Sequence, residues 1–200
     1  MIKKGFYESL DGKEGYRSKN FKTLQLKNVN VKHGKHSLVD DLSLTIFENE
    51  VFIIIGENGS GKSNVLSTMA GFQHVHSGSC TAFDVNLFRD LRFLRKTLLA
   101  YSEQDVTLLG TLTPAENIEF VCRFIGLPNI DEFVKKTLID FELLDTANIV
   151  TRILPQVIRK KLSLALTLIS GAKVILLDTP TDGMNIAEKR TMWQQIRARR

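Results

Sequence analysis

Apolar and polar residues alternate in some segments of this chain and follow one another without interruption in others. Residues 24–31 alternate with one slip, and residues 42–46 alternate cleanly, which predicts two half-buried antiparallel strands. Residues 51–55 and 174–177 are unbroken apolar runs, and these predict strands that are buried on both faces. The pattern therefore predicts strands in two environments, one partly exposed and one enclosed.

Helical periodicity with recognisable end signals predicts helices between these strands. They cover residues 62–70, 114–125, 131–141 and 156–170, and glycines 71, 126 and 171 end three of them. The helix at 114–125 has the strongest start signal, because Thr113 and Glu116 form a capping box around a proline at the first helical position. Its predicted apolar stripe consists of Ile118, Val121, Phe124 and Ile125.

A glycine-rich segment directly follows the apolar run at 51–55. Its sequence fits the pattern G-x-x-x-x-G-K-[ST] and reads Gly56-Glu57-Asn58-Gly59-Ser60-Gly61-Lys62-Ser63. Between a strand and a helix, this pattern indicates a phosphate-binding loop. Glycines let backbone N–H groups approach phosphate oxygens, and the positive end of the following helix faces the anion. We therefore expect Lys62 to reach the β- and γ-phosphates of a nucleotide and Ser63 Oγ to bind Mg²⁺.

A carboxylate stands at the end of the second apolar run. Asp178 directly follows residues 174–177, at the carboxyl end of the predicted strand. Ligands of open parallel sheets bind at that edge, and a carboxylate there holds Mg²⁺ through its water shell. In the alternative, Asp178 only caps the next turn. With a phosphate loop in the same chain, we favour a shared nucleotide and magnesium site.

The bulk composition changes this picture little. The 200 residues carry a net charge of +5, with 43% hydrophobic and 24% charged residues, as in an ordinary soluble globule. The basic balance is compatible with nucleic acid or an anionic membrane but indicates neither. No apolar run approaches the roughly 18 residues that span a bilayer. Cys80 and Cys122 form no C-x-x-C, so we expect both to pack as small apolar residues in a reducing compartment.

Together these motifs resemble the nucleotide-binding domain of ABC transporters over residues 24–200. The resemblance rests on the phosphate loop, Gln104, the helical middle and the run that ends in Asp178. Three stretches are most similar to subfamily A, the lipid-exporter group: residues 112–117, 159–166 and 170–174. The resemblance implies an α/β fold with a RecA-like P-loop core, an N-terminal antiparallel β-subdomain and a helical subdomain at about 112–170.

The resemblance also implies ligands and partners. Domains of this family bind ATP with Mg²⁺, and they pair so that ATP lies between one phosphate loop and the partner's signature motif. They drive attached transmembrane domains from the cytoplasmic face of a membrane. By this resemblance Ser63, Gln104 and Asp178 hold Mg²⁺, and the loop residues with Asn64 hold the phosphates. His33 lies near where the family stacks an aromatic ring on adenine, with a plain surface role as the alternative. No nucleic acid partner is expected.

The two largest departures from the family pattern lie at the catalytic glutamate and at the signature motif. The catalytic glutamate after the strand-ending aspartate is replaced by Thr179, whose hydroxyl cannot accept a proton near neutral pH. Loss of a general base typically costs about 10²–10⁴-fold in rate. The signature motif corresponds to Leu154, Pro155, Gln156 and Val157, and Pro155 has neither the family's serine hydroxyl nor an N–H. No catalytic residue is therefore intact, and we expect weak hydrolysis at this chain's own site.

The ends of the chain and its histidines suggest further expectations. Residues 1–22 are polar and contain glycine, and they are interpreted as a linker or leader before an ATP-binding domain at 23–200. The later strand that carries a histidine in the family has no counterpart before residue 200, so we expect a fragment of a larger membrane transporter. His74 and His76 have no third ligand nearby in sequence, and a structural role is expected instead of a metal site.

Three functions stay open from the sequence. The first is the ATP-binding domain of an ABC transporter, with lipid as the substrate that subfamily A implies, acting as the degenerate half of a pair. The second is an ordinary active ABC ATPase in which another group serves as the base. The third is a soluble ABC-type ATPase or a non-catalytic nucleotide-binding module, which the basic charge permits. A GTPase is disfavoured because no N-K-x-D motif is present.

Overall fold

A computed structural model describes residues 21–33, 36–89, 98–106 and 108–198 of the chain. These residues divide into two compact units, one up to residue 89 and the other from residue 98 to 198, and each is described by itself. The predicted linker at 1–22 lies outside the described residues except for its last two positions. Within the described ranges, no helix is both long and apolar enough to cross a membrane.

The first unit is built on a four-stranded antiparallel sheet in the order β2-β1-β3-β4. The strands are β1 Lys22–His33, β2 His36–Phe47, β3 Ser77–Ala82 and β4 Val85–Asn86. The predicted alternation of β1 and β2 is confirmed, and its slip in β1 coincides with a register shift between Leu26 and Val29. Asn28, at this shift, has a φ of 47°. A β-bulge of this kind adds one residue to a strand and returns the following apolar side chain to the inner face.

The apolar run at 51–55 does not form the predicted buried strand. Among these five residues only Phe52 makes a bridge, and Ile55 is 71% exposed. An apolar run indicates a tendency to be buried, whereas a strand also needs a neighbour that supplies a ladder of hydrogen bonds. The strand assignment is therefore wrong, although the run still leads into the glycine-rich segment.

The helix after this segment begins and ends close to the predicted residues. It is α1, Lys62–Met69, and it buries Val65, Thr68 and Met69. Gly71 follows with a φ of 72°, a conformation that glycine adopts without steric cost. The prediction of a helix that stops at Gly71 is therefore confirmed.

The second unit combines a two-stranded parallel sheet with four helices. β5, Leu99–Ser102, pairs with β6, Val174–Leu177, so the carboxyl ends of both strands lie at one edge. The helices are α2 Pro114–Ile125, α3 Ile130–Asp140, α4 Gln156–Ile169 and α5 Ile186–Arg197, with 3₁₀ turns at Leu144–Thr146 and Thr151–Ile153. Helices α2, α3 and α4 match their predicted bounds to within one residue, and the capping box at Thr113 is present.

The face that α2 buries differs from the predicted stripe. Ile118 is buried and Val121 is half-buried, as predicted, but Phe124 is 79% exposed. Asn117 and Cys122 are buried instead. The predicted stripe is wrong for Phe124, because the last turn of α2 buries Cys122 and leaves Phe124 on its exposed side.

Asn117 can lie inward because its side chain is fully hydrogen-bonded. Its Nδ2 donates to the carbonyls of Leu109 and Thr113 and to Thr151 Oγ1, at 3.2, 2.9 and 3.2 Å. Its Oδ1 accepts from the Leu109 N–H at 3.3 Å. Asn117 therefore joins the loop before α2 to the 3₁₀ turn before α4. A buried polar group of this kind cannot be recognised from apolar periodicity, because that pattern does not show which groups supply its hydrogen bonds.

Replacing Asn117 by leucine should lower the free energy of unfolding by about 1–3 kcal/mol, because the buried Thr151 hydroxyl and the backbone of Leu109 lose their hydrogen bonds to the Asn117 side chain. Urea unfolding followed by circular dichroism measures the change. Asn148→Leu is the matched control, since Asn148 is exposed, and it should change stability far less. Equal losses in both variants would contradict a specific role for the Asn117 hydrogen bonds.

Both cysteines are buried, Cys80 in β3 and Cys122 in α2. Burial raises the pKa of the Cys80 thiol to about 12, and burial also raises the pKa of Cys122. A thiol with a raised pKa stays protonated and unreactive. The expectation that both pack as small apolar residues is confirmed.

Candidate functional site

The glycine-rich segment at 56–61 forms a turn that enters α1. Gly59 and Gly61 adopt φ values of 78° and 94°, and a Cβ on Gly61 would lie 2.8 Å from the Leu38 carbonyl oxygen. Conformation and space therefore both require glycine at position 61. Gly61 is also the N-cap of α1, and no described side chain caps the N–H groups of the first turn. Such N–H groups at the positive end of a helix dipole favour an anion.

Lys62 and Ser60 add polar groups to this turn. The Lys62 ammonium donates to the carbonyl oxygens of Gly56 and Glu57 at 2.8 and 2.7 Å. Ser60 Oγ is buried, and it has no hydrogen-bond partner among the described residues. A buried unpaired hydroxyl costs about 1–3 kcal/mol unless a ligand or water pairs with it. The turn thus carries a cation, an unpaired hydroxyl and backbone N–H groups, the donors that a polyphosphate requires.

Ser63 and Asn64 lie in the first turn of α1. Ser63 is exposed, so its hydroxyl is accessible to a hard cation such as Mg²⁺, which prefers oxygen ligands. Asn64 Oδ1 accepts a hydrogen bond from Gln73 Nε2 at 3.3 Å, and the Asn64 carbonyl accepts from Thr68 Oγ1 at 2.6 Å. Asn64 therefore joins α1 to the segment that follows it, and its contact with phosphate stays a prediction.

Gln104 and Asp178 belong to the second unit, at one edge of its parallel sheet. Asp178 follows β6, is only 4% exposed, and donates its N–H to the Ser102 carbonyl at 3.0 Å. Gln104 is exposed in the bend after β5. Burial raises the pKa of Tyr101 to about 12, with further increases from the negative charges of Asp178 and Glu103. Because β5 and β6 are parallel neighbours, Gln104 and Asp178 follow adjacent strand ends although they are distant in sequence.

Thr179 has an unusual backbone and an unpaired hydroxyl. Its φ is 46°, a region that β-branched residues rarely adopt, and its Oγ1 is buried without a partner among the described residues. Such strain costs on the order of 1–3 kcal/mol and occurs most often at functional sites. The Asp182 N–H donates to the Thr179 carbonyl at 3.2 Å, so Thr179 opens a turn.

The segment at 154–157 forms the start of α4. Leu154 is buried, Pro155 is the N-cap and Gln156 is exposed. No described side chain caps this helix end, so the segment keeps the helix start but offers no hydroxyl. Val157 Cγ2 would lie 3.8 Å from a Cβ on Gly183, so the Val157 side chain faces the turn after β6.

The histidines identified in the sequence form no metal site in the described part of the chain. His33 ends β1, but its side chain lies outside the described residues, so its stacking on adenine stays a prediction. His74 and His76 are exposed. Across the described ranges, no group of three or more His, Cys, Asp or Glu side chains could hold a metal ion.

Two buried lysines were missed by the sequence reasoning. Lys160 Nζ lies 3.2 Å from Asp182 Oδ2. Lys161 Nζ lies 2.7 Å from Glu142 Oε2 and 2.8 Å from Glu188 Oε1. Their positions in α4, next to the buried stripe of that helix, were the available signal, because a buried ammonium requires a charged partner.

The ion pairs of Lys161 predict how stability depends on pH. Hydrogen bonds from Lys161 lower the pKa values of Glu142 and Glu188. The stability that these two glutamates contribute is therefore fully present above their pKa in the unfolded chain. It is lost as pH falls through their lowered pKa values in the folded chain. Burial opposes the charge of Lys161, but hydrogen bonds to both glutamates outweigh it and raise the pKa. The contribution of Lys161 is therefore lost only as pH rises through that raised value.

Thermal unfolding of the wild type and of Lys161→Met, measured from neutral to strongly acidic pH, tests this dependence. The wild type should unfold at the higher temperature near neutral pH. The difference should shrink once both glutamates are protonated. A difference that stays constant across the acidic range would contradict these pKa shifts.

Comparison with known proteins identifies the family. The family model described as ABC transporter matches residues 39–182. The chain belongs to the ABC transporter family. The resemblance seen in the sequence is thus confirmed, and the matched region of this ABC domain contains the glycine-rich loop at 56–63, Gln104, Asp178 and the segment at 154–157.

The relatives of this ABC domain include members of subfamily A. It is 33% identical over 172 residues to the phospholipid-transporting ATPase ABCA3 of Homo sapiens, which covers 85% of this chain and 10% of that protein. It is 28% identical over 192 residues to ATP-binding cassette sub-family A member 9 of Mus musculus. This alignment covers 94% of this chain and 12% of that protein. The chain therefore spans about a tenth of the length of these relatives.

Solved structures confirm the predicted fold class. An ATP-binding subunit of an ABC transporter aligns with a TM-score of 0.78 at 17% identity, over 88% of this chain and 74% of that one. A dimeric ATP-binding cassette in a post-hydrolysis state with ADP and Pi aligns with a TM-score of 0.77 at 23% identity. This alignment covers 86% of this chain and 81% of that one. The ABC domain thus has the α/β, RecA-like fold, with an antiparallel sheet at the N-terminus and a helical region between β5 and β6.

Proposed function

We propose that this ABC domain binds ATP with Mg²⁺ at the loop of residues 56–63. The observation that carries the proposal is the turn itself: Gly59 and Gly61 are left-handed, and the first N–H groups of α1 have no side-chain cap in the described structure. The unpaired Ser60 hydroxyl and the Lys62 ammonium supply further donors. These groups fit a triphosphate, whose oxygens only accept hydrogen bonds.

Each residue has a distinct proposed role. Lys62 pairs with the β- and γ-phosphates, and the loop N–H groups, with Ser60 and Asn64, donate to phosphate oxygens. Ser63, Gln104 and Asp178 are assigned to Mg²⁺ by the family resemblance, and the oxygen donors they offer suit that cation. Bound Mg²⁺ would neutralise charge on the phosphates. His33 is assigned to the adenine ring by resemblance alone.

Hydrolysis by this chain's own site is proposed to be weak. Thr179 provides a hydroxyl where a general base is required, and its unpaired Oγ1 cannot take a proton from water. Pro155 starts α4 without a hydroxyl or an N–H for a partner's γ-phosphate. ATP binding needs neither group. The domain would therefore act as the degenerate half of a pair, with a second ABC domain supplying the intact groups.

The relatives support a proposal for the larger assembly. ABCA3 is named a phospholipid-transporting ATPase, which supports a lipid as the transported substrate. We propose that this domain couples MgATP binding to transmembrane domains of the same or a partner chain, at the cytoplasmic face of a membrane. No nucleic acid partner is proposed.

Nucleotide titration of the purified chain tests the proposal. A fluorescent ATP analogue, with and without Mg²⁺, should bind saturably and be displaced by ATP. Phosphate release should stay near background for the domain alone. Absence of saturable binding would overturn the nucleotide assignment, whereas rapid phosphate release by the isolated domain would overturn only the proposal of weak hydrolysis.

A further inference from the structure

Two successive lysines of α4 are almost completely buried, with Lys160 5% and Lys161 3% exposed. Taking an ammonium out of water costs several kcal/mol, so each needs a carboxylate partner. Lys160 pairs with Asp182, and Lys161 pairs with Glu142 and Glu188. These partners lie on the turn after β6, on the loop after α3 and in the first turn of α5. Helix α4 is thus connected to three other segments of its unit through two adjacent side chains.

Glu188 has two roles at once. Its Oε1 accepts from Lys161 at 2.8 Å, while its Oε2 accepts from the Asn185 N–H at 3.0 Å. The Glu188 N–H in turn donates to Asn185 Oδ1 at 2.9 Å, which completes a capping box. A continuous set of hydrogen bonds therefore runs from the Lys161 ammonium to the backbone of Asn185.

The segment at 179–185 is held by α4 at two points. Asp182 is held by Lys160, and Asn185 is held by Lys161 through Glu188. The segment begins directly after Asp178, so its position bears on the backbone of that carboxylate. Strain and an unpaired hydroxyl at Thr179 indicate that this backbone does not hold its conformation by local preference.

We propose that Lys161 is a positioning residue, which fixes residues 178–185 against helix α4 through Glu188. The inference rests on the proposed function in one respect, because Asp178 is there assigned to Mg²⁺. Loss of Lys161 should loosen the turn and weaken the part of ATP affinity that depends on Mg²⁺. A purely structural role would lower stability and leave that part unchanged.

The two glutamates provide a matched pair of variants. The bonds from Lys161 and Asn185 use different oxygens of Glu188, and in Glu188→Gln one of these oxygens becomes an NH₂ group that only donates, so the connection is broken in this geometry. Glu142 also has a side-chain hydrogen bond with Thr191 of α5, but no hydrogen bond between Glu142 and residues 178–185 is seen in the described structure. In Glu142→Gln the remaining oxygen can still accept from Lys161. Both variants remove one negative charge beside the Lys161 ammonium. If Lys161 is a positioning residue, Glu188→Gln should affect ATP binding and the turn at 179–185 more than Glu142→Gln does. If its ion pairs only stabilise the fold, the two variants should have similar effects.

The experiment measures two quantities in the full chain. The first is amide hydrogen exchange at Asn185, and the second is the ratio of ATP affinities with and without Mg²⁺. Lys161→Met keeps the apolar stem and should speed exchange and lower the ratio, each on the order of tenfold, as expected for loss of a charged hydrogen bond. Glu188→Gln should do the same. Lys161→Arg, which keeps charge and donors, should restore both, and Glu142→Gln should change neither.

Equal effects of Glu142→Gln and Glu188→Gln on both quantities would overturn the inference. Unchanged Asn185 exchange in folded Lys161→Met would also overturn it. If Lys161→Met does not fold, Glu188→Gln carries the test against Glu142→Gln. If the wild type binds no ATP, the proposed function fails, and exchange at Asn185 still decides the positioning role.

Discussion

Replacing Lys62 by alanine should abolish ATP binding, with a loss of affinity of at least about 100-fold. The ammonium is the one side-chain cation in the phosphate loop, and charge-assisted hydrogen bonds contribute about 1.5–3 kcal/mol each. It donates to the carbonyls of Gly56 and Glu57, so it lies against the loop that would receive the phosphates. Titration with a fluorescent ATP analogue measures the loss.

Two controls separate this effect from damage to the loop. Lys62→Met keeps the side-chain stem and should lose affinity equally, because only the ammonium pairs with phosphate. Lys136→Ala changes an exposed lysine of α3 by the same charge and should bind normally. Melting temperatures show whether each variant is folded. Unchanged affinity in folded Lys62→Ala would show that residues 56–63 do not hold the phosphates.

Replacing Thr179 by glutamate should raise ATP turnover by roughly 100-fold, within the range that a general base contributes. The wild-type hydroxyl cannot accept the proton of the attacking water, whereas a carboxylate can. The substitution should be tolerated, because glutamate is not β-branched and has less steric conflict than threonine at a φ of 46°. Phosphate release at saturating MgATP measures turnover.

Thr179→Gln is the matched control, since it has the same shape as glutamate and cannot act as a base. Both variants are also made with Pro155→Ser, so that the missing hydroxyl at the start of α4 does not limit the rate. A rise in the glutamate variants alone supports the proposal. High wild-type turnover that glutamate does not increase would mean that another group is the base, as in an ordinary active ABC ATPase.

Signals between residues close in sequence predicted the ends of two helices and the alternation of one strand. The end signals of α1 and α2 were sufficient to predict where these helices begin or end. Capping by Thr113 and the left-handed glycines at 71 and 126 act within one turn of the chain. The alternation of β1 was also sufficient, and even its slip marked the bulge at Asn28. These features depend on neighbours in sequence and were therefore predictable.

The wrong or missing predictions concern contacts that apolar periodicity does not encode. The run at 51–55 has the composition of a buried strand, yet only Phe52 makes a bridge in the described structure. Phe124 was expected inside and lies exposed, while Asn117 lies inside because residues 109, 113 and 151 supply its hydrogen bonds. Apolar periodicity carries no information on which segments supply a polar residue with partners.

The sequence alone determined the chemistry of the candidate site. The spacing of Gly56, Lys62 and Ser63 predicts a phosphate loop, and Thr179 and Pro155 predict weak hydrolysis, since side-chain chemistry is a property of the residue itself. Only the tertiary structure decided how the segment after Asp178 is held. The sequence did not single out Lys160 and Lys161, but folding buries both, and a buried ammonium must find carboxylates on other segments.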